Sequence, residues 1–141
     1  MLEAMDWAEK NVQLNASKAP HEFFAVDTFD YLKNMKEQYD IIILDPPAFA
    51  KSMSARHNAI MAYKRLNALA IKKIEPKGII FTFSCSQVVD KFSFTSAVLA
   101  AAIESGRQVS ILHQMSQPAD HPVNIYHPEG EYLKGLVLFV E

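Results

Sequence analysis

A chain of 141 residues, 50% hydrophobic and 21% charged, is long enough for one domain with a real core and too apolar for a disordered or fibrous class. Its net charge of −2 hides an asymmetry. Residues 1–50 carry four Lys or Arg against nine Asp or Glu, residues 51–77 carry seven basic groups against Glu75 alone, and the rest is acidic again. No apolar run approaches the ~18 residues of a membrane span, and no basic region leads into an apolar stretch near Met1, so a cytoplasmic protein without a membrane partner is expected. One cysteine, Cys85, excludes an internal disulfide and a multi-cysteine metal site.

In chain order, Leu2, Met5, Ala8 and Val12 recur at helical spacing and predict an amphipathic helix to about Asn15, broken over Ala16 to Pro20. Glu22 to Val26 read as a short strand, and Asp27-Thr28 as its carboxyl end and a helix cap. Phe29, Leu32 and Met35 or Lys36 suggest a short helix. Tyr39 to Leu44 is the next strand. Ile41 to Leu44 lack polar alternation, which predicts burial on both faces, as in a parallel sheet covered by helices. A loop follows from Asp45 to Ala55. Ala59, Tyr63, Leu66, Ala70 and Ile74 mark a helix over Arg56 to Glu75, and Pro76-Lys77-Gly78 turns into a strand at Ile79 to Phe83. Asp90 is placed to cap a helix running to about Glu104 and closed by Gly106. Val109 to Met115 is a strand, Gln117 to Gly130 a Pro-rich loop, and the last strand runs from Leu133 or Leu136 to Val140. With no repeat or linker, residues 1–141 read as one domain.

Strands alternating with helices predict a doubly wound α/β sheet, mostly parallel, with one of the two closely spaced last strands antiparallel. Its carboxyl edge, where open α/β sheets bind ligands, would gather Asp27, Asp45 and the Ser84-Cys85-Ser86 turn. Pro46 and Pro47 donate no ladder hydrogen bonds and fix the chain's exit direction, so they hold Asp45 at that edge. The cationic stretch Lys51 to Lys77 suits either a polyanion such as RNA or a solvated helix face. Asp120-His121 is too sparse for a metal site and reads as a loop corner.

Four ordered motifs go further: Asp45-Pro46-Pro47-Ala48-Phe49, Thr82-Phe83-Ser84-Cys85-Ser86, Asp120-His121-Pro122-Val123, and Pro128 to Gly135. On them the chain resembles the S-adenosylmethionine-dependent methyltransferases, and more narrowly the bacterial large-subunit ribosomal RNA cytosine-5 methyltransferases. The resemblance implies the C-terminal part of a Rossmann-like class I catalytic domain. The first two strands, with their glycine-rich cofactor loop and acidic ribose ligand, are not in this sequence.

Carbon 5 of cytosine is a poor nucleophile, so enzymes of this family add a thiolate to carbon 6. Cys85 matches that nucleophile, and its place between a strand and a helix suits thiol activation. Asp45 matches the carboxylate that faces the base. By the same resemblance Asp27 and Thr28, together with Asp45, Pro46 and Pro47, would meet the cofactor S-adenosyl-L-methionine, while Phe49, Lys51 and Arg56 would meet ribosomal RNA. The base that removes the carbon 5 proton is unassigned, since no second cysteine exists.

Two other readings stand beside this one. Asp-Pro-Pro followed by an aromatic also resembles adenine-amino methyltransferases, in which Cys85 would be dispensable. Alternatively the chain is an inactive truncated module that forms a homodimer or swapped assembly through an unpaired sheet edge.

Overall fold

The computed structural model describes residues 2–15 and 19–141, which form two compact units, residues 1–34 and residues 35–141. The first contains helix α1 (Leu2–Gln13) and the short helix α2 (Thr28–Asn34). Asp27 starts α2 by accepting the Phe29 and Asp30 amides on Oδ1, at 2.8 and 3.1 Å. The Phe24 and Tyr31 rings pack at 4.9 Å between centroids, and His21 Nε2 lies 3.4 Å from Glu9 Oε2. Glu22 to Val26 is irregular chain and not the expected strand. A strand exists by its ladder hydrogen bonds, and this segment pairs with no strand among the described residues. The expected break at Ala16 to Pro20 lies partly outside the described residues.

The second unit holds β1 (Ile41–Leu44), α3 (Arg56–Lys73), β2 (Gly78–Ser84), α4 (Lys91–Ser105), β3 (Val109–Met115) and β4 (Lys134–Val140). The four strands make one sheet in the order β1-β2-β4-β3. β1 and β2 are parallel, with Leu44 beside Thr82, and β4 runs antiparallel to both of its neighbours. The sheet is therefore mixed, three strands running one way and β4 the other, as the two closely spaced last strands predicted.

Helices α3 and α4 pack on one another, α3 against β2 and α4 against β4, so both cover the same sheet face. The core lies between. Tyr63, Leu66, Ala70 and Ile71 of α3 and Phe94, Ala97, Val98 and Ala101 of α4 meet Ile42, Leu44, Ile80, Leu138 and Val140 of the sheet. The Tyr63 and Phe94 rings make an edge-to-face pair at 5.3 Å. The other face is not covered to the same degree: Ile41 and Ile43 are 57% and 66% exposed. The two-sided burial expected of β1 thus gives way to alternation, and within the unit of residues 35–141 both α3 and α4 lie on the face of Ile42 and Leu44.

Local signals set the helix ends. Asp90 caps α4 by accepting the Ser93 amide at 2.8 Å, and Gly106 closes the helix at φ +71°. The carboxyl end of α3 is closed from afar. Arg107 donates to the carbonyls of Ile71 and Ile74 at 2.8 and 2.7 Å and to that of Glu141 at 3.0 Å, so a cation answers the exposed helix carbonyls. In the turn into β2 it is Lys77, not glycine, that takes φ +69°. Gly78 is needed instead for close approach, since a Cβ there would lie 2.5 Å from the Ile74 side chain.

Candidate functional site

Parallel pairing brings the carboxyl ends of β1 and β2 to one edge, and antiparallel β4 starts at the same edge with Lys134 opposite Ser84. The two turns that leave this edge touch. The Cys85 Sγ lies 3.9 Å from the Pro46 carbonyl oxygen, and the Ser86 hydroxyl donates to the Ala50 carbonyl at 2.8 Å. Pro46 has no amide to turn inward, so its carbonyl is what the Asp45-Pro46-Pro47 loop offers the thiol. Lys134 Nζ donates to the Ser86 carbonyl at 2.6 Å, tying β4 into the same knot.

Asp45 is exposed, and its carboxylate accepts no hydrogen bond from the described residues. Cys85 is half-buried and free. Beneath them the site is polar and closed: Thr82, Ser84 and Ser86 are buried, and Tyr63 and Asn67 of α3 are fully so. The Tyr63 hydroxyl has the Ser84 side chain and the Phe49 backbone as neighbours without a well-formed hydrogen bond to either. Burial pushes the Tyr63 phenol above its usual range, and the nearby Cys85 adds to the rise. Burial likewise pushes the Lys134 ammonium down, against the pull of Cys85 and Asp90. Both shifts mark the edge as a desolvated, charge-sensitive place.

The expected residues divide into three groups. Asp45, Pro46 and Cys85 lie at the same sheet edge, where Cys85 meets the Pro46 carbonyl. Phe49, expected on a base, is half-buried with its ring 4.7 Å from Tyr63, so its contact is internal. Arg56, expected on RNA phosphates, is committed to the start of α4. It donates to the Val88 carbonyl at 2.9 Å, to Asp90 Oδ2 at 2.7 Å and to the Ser93 hydroxyl at 2.7 Å. The Ser93 amide first, and Arg56 after it, hold the Asp90 carboxyl below its usual range. Asp27 and Thr28 belong to the first unit, where Oδ1 of Asp27 is used by the α2 amides and Oδ2 accepts nothing from the described residues.

The cationic stretch is largely used within the fold. Lys64 and Lys72 pair with Glu104 at 2.9 and 3.6 Å, and Lys73 donates to the Met35 carbonyl at 2.6 Å. Lys51 remains exposed beside the Asp45 loop. His121 accepts the role of loop corner, its amide on the Pro118 carbonyl and its ring 3.4 Å from the Tyr132 hydroxyl. No group of three metal-binding side chains exists among the described residues, and no helix there is long and apolar enough to cross a membrane. Lys134 lies within the fourth motif, Pro128 to Gly135, at the start of an apolar strand, and the motif by itself gives it no role.

No protein-family model matches the chain. It is 39% identical over 139 residues to the ribosomal RNA large subunit methyltransferase I of Aeromonas salmonicida and 43% identical to that of Enterobacter sp. strain 638. These alignments cover 96% and 94% of this chain and 35% of each relative. The chain thus spans about a third of the length of the curated relatives it matches. Among solved structures it superposes on SMU.776, a proposed methyltransferase complexed with SAH, with a TM-score of 0.77 and 23% identity, over 97% of this chain and 36% of that one. A proposed S-adenosylmethionine-dependent methyltransferase from Streptococcus mutans follows at 0.71 and 25%, over 88% and 32%. The fold is that of part of a methyltransferase domain, in agreement with the resemblance drawn from the motifs.

Proposed function

We propose that this chain, a relative over nearly its whole length of ribosomal RNA large subunit methyltransferases, carries the base-modifying part of an S-adenosyl-L-methionine-dependent enzyme that methylates cytosine at carbon 5. The observation that carries the reading is the meeting of Cys85 with the Asp45-Pro46-Pro47 loop, 3.9 Å from sulfur to carbonyl oxygen, at the edge where α/β sheets bind ligands. An open edge with an exposed, unpartnered carboxylate and a half-buried thiol fits a flat polar base.

In this scheme the Cys85 thiolate adds to carbon 6 of the cytosine. Asp45 accepts the hydrogen bonds of the amino and protonated nitrogen 3 edge, which favours electron density at carbon 5. The bound cofactor supplies an electrophilic methyl group. Loss of the carbon 5 proton to a base then expels the thiolate and restores the ring. Asp27, through Oδ2, and Thr28 have the donor and acceptor chemistry for the cofactor's amino and hydroxyl groups, and Pro46 and Pro47 an apolar surface for its methyl end. Lys51 is the charged group beside the loop suited to an RNA phosphate.

Two measurements test this. Calorimetric titration with S-adenosyl-L-methionine reads cofactor binding by the chain itself. Incubation with cofactor and RNA containing 5-fluorocytidine, from which the carbon 5 substituent cannot leave as a proton, should give a covalent adduct by mass spectrometry that disappears in Cys85→Ala. Methyl transfer retained in Cys85→Ala would overturn the thiol mechanism and favour amino methylation.

Self-assembly through the β1 edge draws support from the exposure of Ile41 and Ile43 and from the lack of a strand beyond β1 among the described residues. Antiparallel pairing of two copies in the register that uses all four residues would set Asp40 opposite Asp45 of the second copy, a like-charge contact. Association therefore takes the form of sheet-face packing or parallel pairing, and light scattering should show a dimer. A monomer across concentrations would sink it.

A further inference from the structure

Three features converge on Lys134, a residue with no assigned role in the scheme above. Its backbone pairs with Ser84 across the antiparallel β2–β4 ladder, so its side chain leaves the sheet on the same face as that of Ser84. Its ammonium then reaches along the turn to the carbonyl of Ser86, 2.6 Å away, so that backbone pairing and side-chain bond bracket Cys85 from both sides. Its charge also interacts with Cys85 and with Asp90.

The charges around the thiol decide what this arrangement does. Asp90 is matched by Arg56 at 2.7 Å, so its negative charge is largely balanced at the start of α4. Tyr63, packed under the turn from α3, is held neutral by burial. Lys134, from β4, and the exposed Asp45 carboxylate, on the loop whose Pro46 carbonyl meets the thiol, are left as the unbalanced charges of this edge, and of the two only Lys134 is bonded to the Cys85 turn itself. Keeping an ammonium half-buried is costly, and one carbonyl uses only one of its three donors.

We infer that Lys134 is a positioning residue for Cys85: its ammonium, anchored on the Ser86 carbonyl, supplies positive potential at the sulfur when the sulfur carries negative charge during attack on, and release from, the base. The inference rests on the reading of Cys85 as the nucleophile, yet its test needs no methyl transfer. Because the chain has one cysteine, alkylation reports on Cys85 alone. The ratio of rates with anionic iodoacetate and neutral iodoacetamide reads the local potential, and exposure changes affect both reagents alike.

In Lys134→Met the ratio should fall about fivefold at low salt, and Lys134→Arg should retain it. A turn that was merely tied together by Lys134 would instead loosen, so that both rates rise together and the ratio stays put; that result overturns the inference. Should Lys134→Met fail to fold, the unsubstituted chain still decides. Its ratio should exceed that of a small free thiol and drop toward it as salt is raised to about 1 M. A salt-independent ratio equal to the free thiol's, or a sulfur that neither reagent reaches, counts against it equally. Failure of the 5-fluorocytidine adduct with an intact charge effect would remove the methylation mechanism and leave Lys134's influence on the thiol standing.

Discussion

Ile80 and Ile43 are the same residue type on neighbouring parallel strands, and one is fully buried while the other is 66% exposed. The difference follows from the pleat. Ile42, Leu44, Ile80, Leu138 and Val140 point at α3 and α4, whereas Ile41 and Ile43 point away from them. The opposite face is not uniformly bare, for Val137 is buried there and Phe83 packs over Gly135, where a Cβ would lie 2.7 Å from its ring. An aliphatic run in a sequence therefore states that a strand can be buried on both faces, while each face must be covered separately for that to happen.

The sharpest way to break this comparison is to make one substitution on both faces. Ile80→Thr removes apolar volume from the core and buries a hydroxyl, and should cost roughly 3 kcal/mol in urea unfolding. Equal costs for Ile80→Thr and Ile43→Thr would mean that the second face is covered in solution. Next in size is Gly135→Ala, which forces a methyl into the Phe83 ring and should cost about 1 to 3 kcal/mol. Part of that loss should return in the double variant with Phe83→Leu, because the two changes share one contact.

Asp90→Ala removes the cap of the helix that covers the first face and the partner of Arg56, at a cost of about 1 kcal/mol. Its carboxyl is held below the ordinary value of 3.8 in the folded chain. That stabilisation is complete above the unfolded value and is lost as pH falls through the folded one. The stabilities of the parent and of Asp90→Ala should converge in acid, and a constant gap down to low pH would contradict the assignment. The smallest effect is expected of Ile43→Thr, within about 0.5 kcal/mol, since it keeps β-branching at an exposed position.

Elements whose signals are local read well. Asp90 and Gly106 marked both ends of α4, Val109 to Met115 is a strand as expected, and the Asp45-Pro46-Pro47 and Ser84-Cys85-Ser86 turns sit where two parallel strands end. Elements that depend on a distant partner read poorly. Glu22 to Val26 has strand composition but no pairing strand among the described residues, and Arg56 reads as a cation for RNA phosphates until Asp90 and Val88 are brought to it. Arg107 closes a helix 33 residues away from its own position, a role that no spacing rule announces.

By itself the sequence determined the order of strands and helices from α2 onward, the two strand-end motifs and hence the methyltransferase resemblance, because these depend on periodicity, capping and turn chemistry within a few residues. Tertiary structure alone decided which face of β1 is covered, which cations are already used within the fold, and that Lys134 meets the Cys85 turn. Each of these depends on pairing between segments far apart in the chain, where register and packing, not local preference, set what touches what.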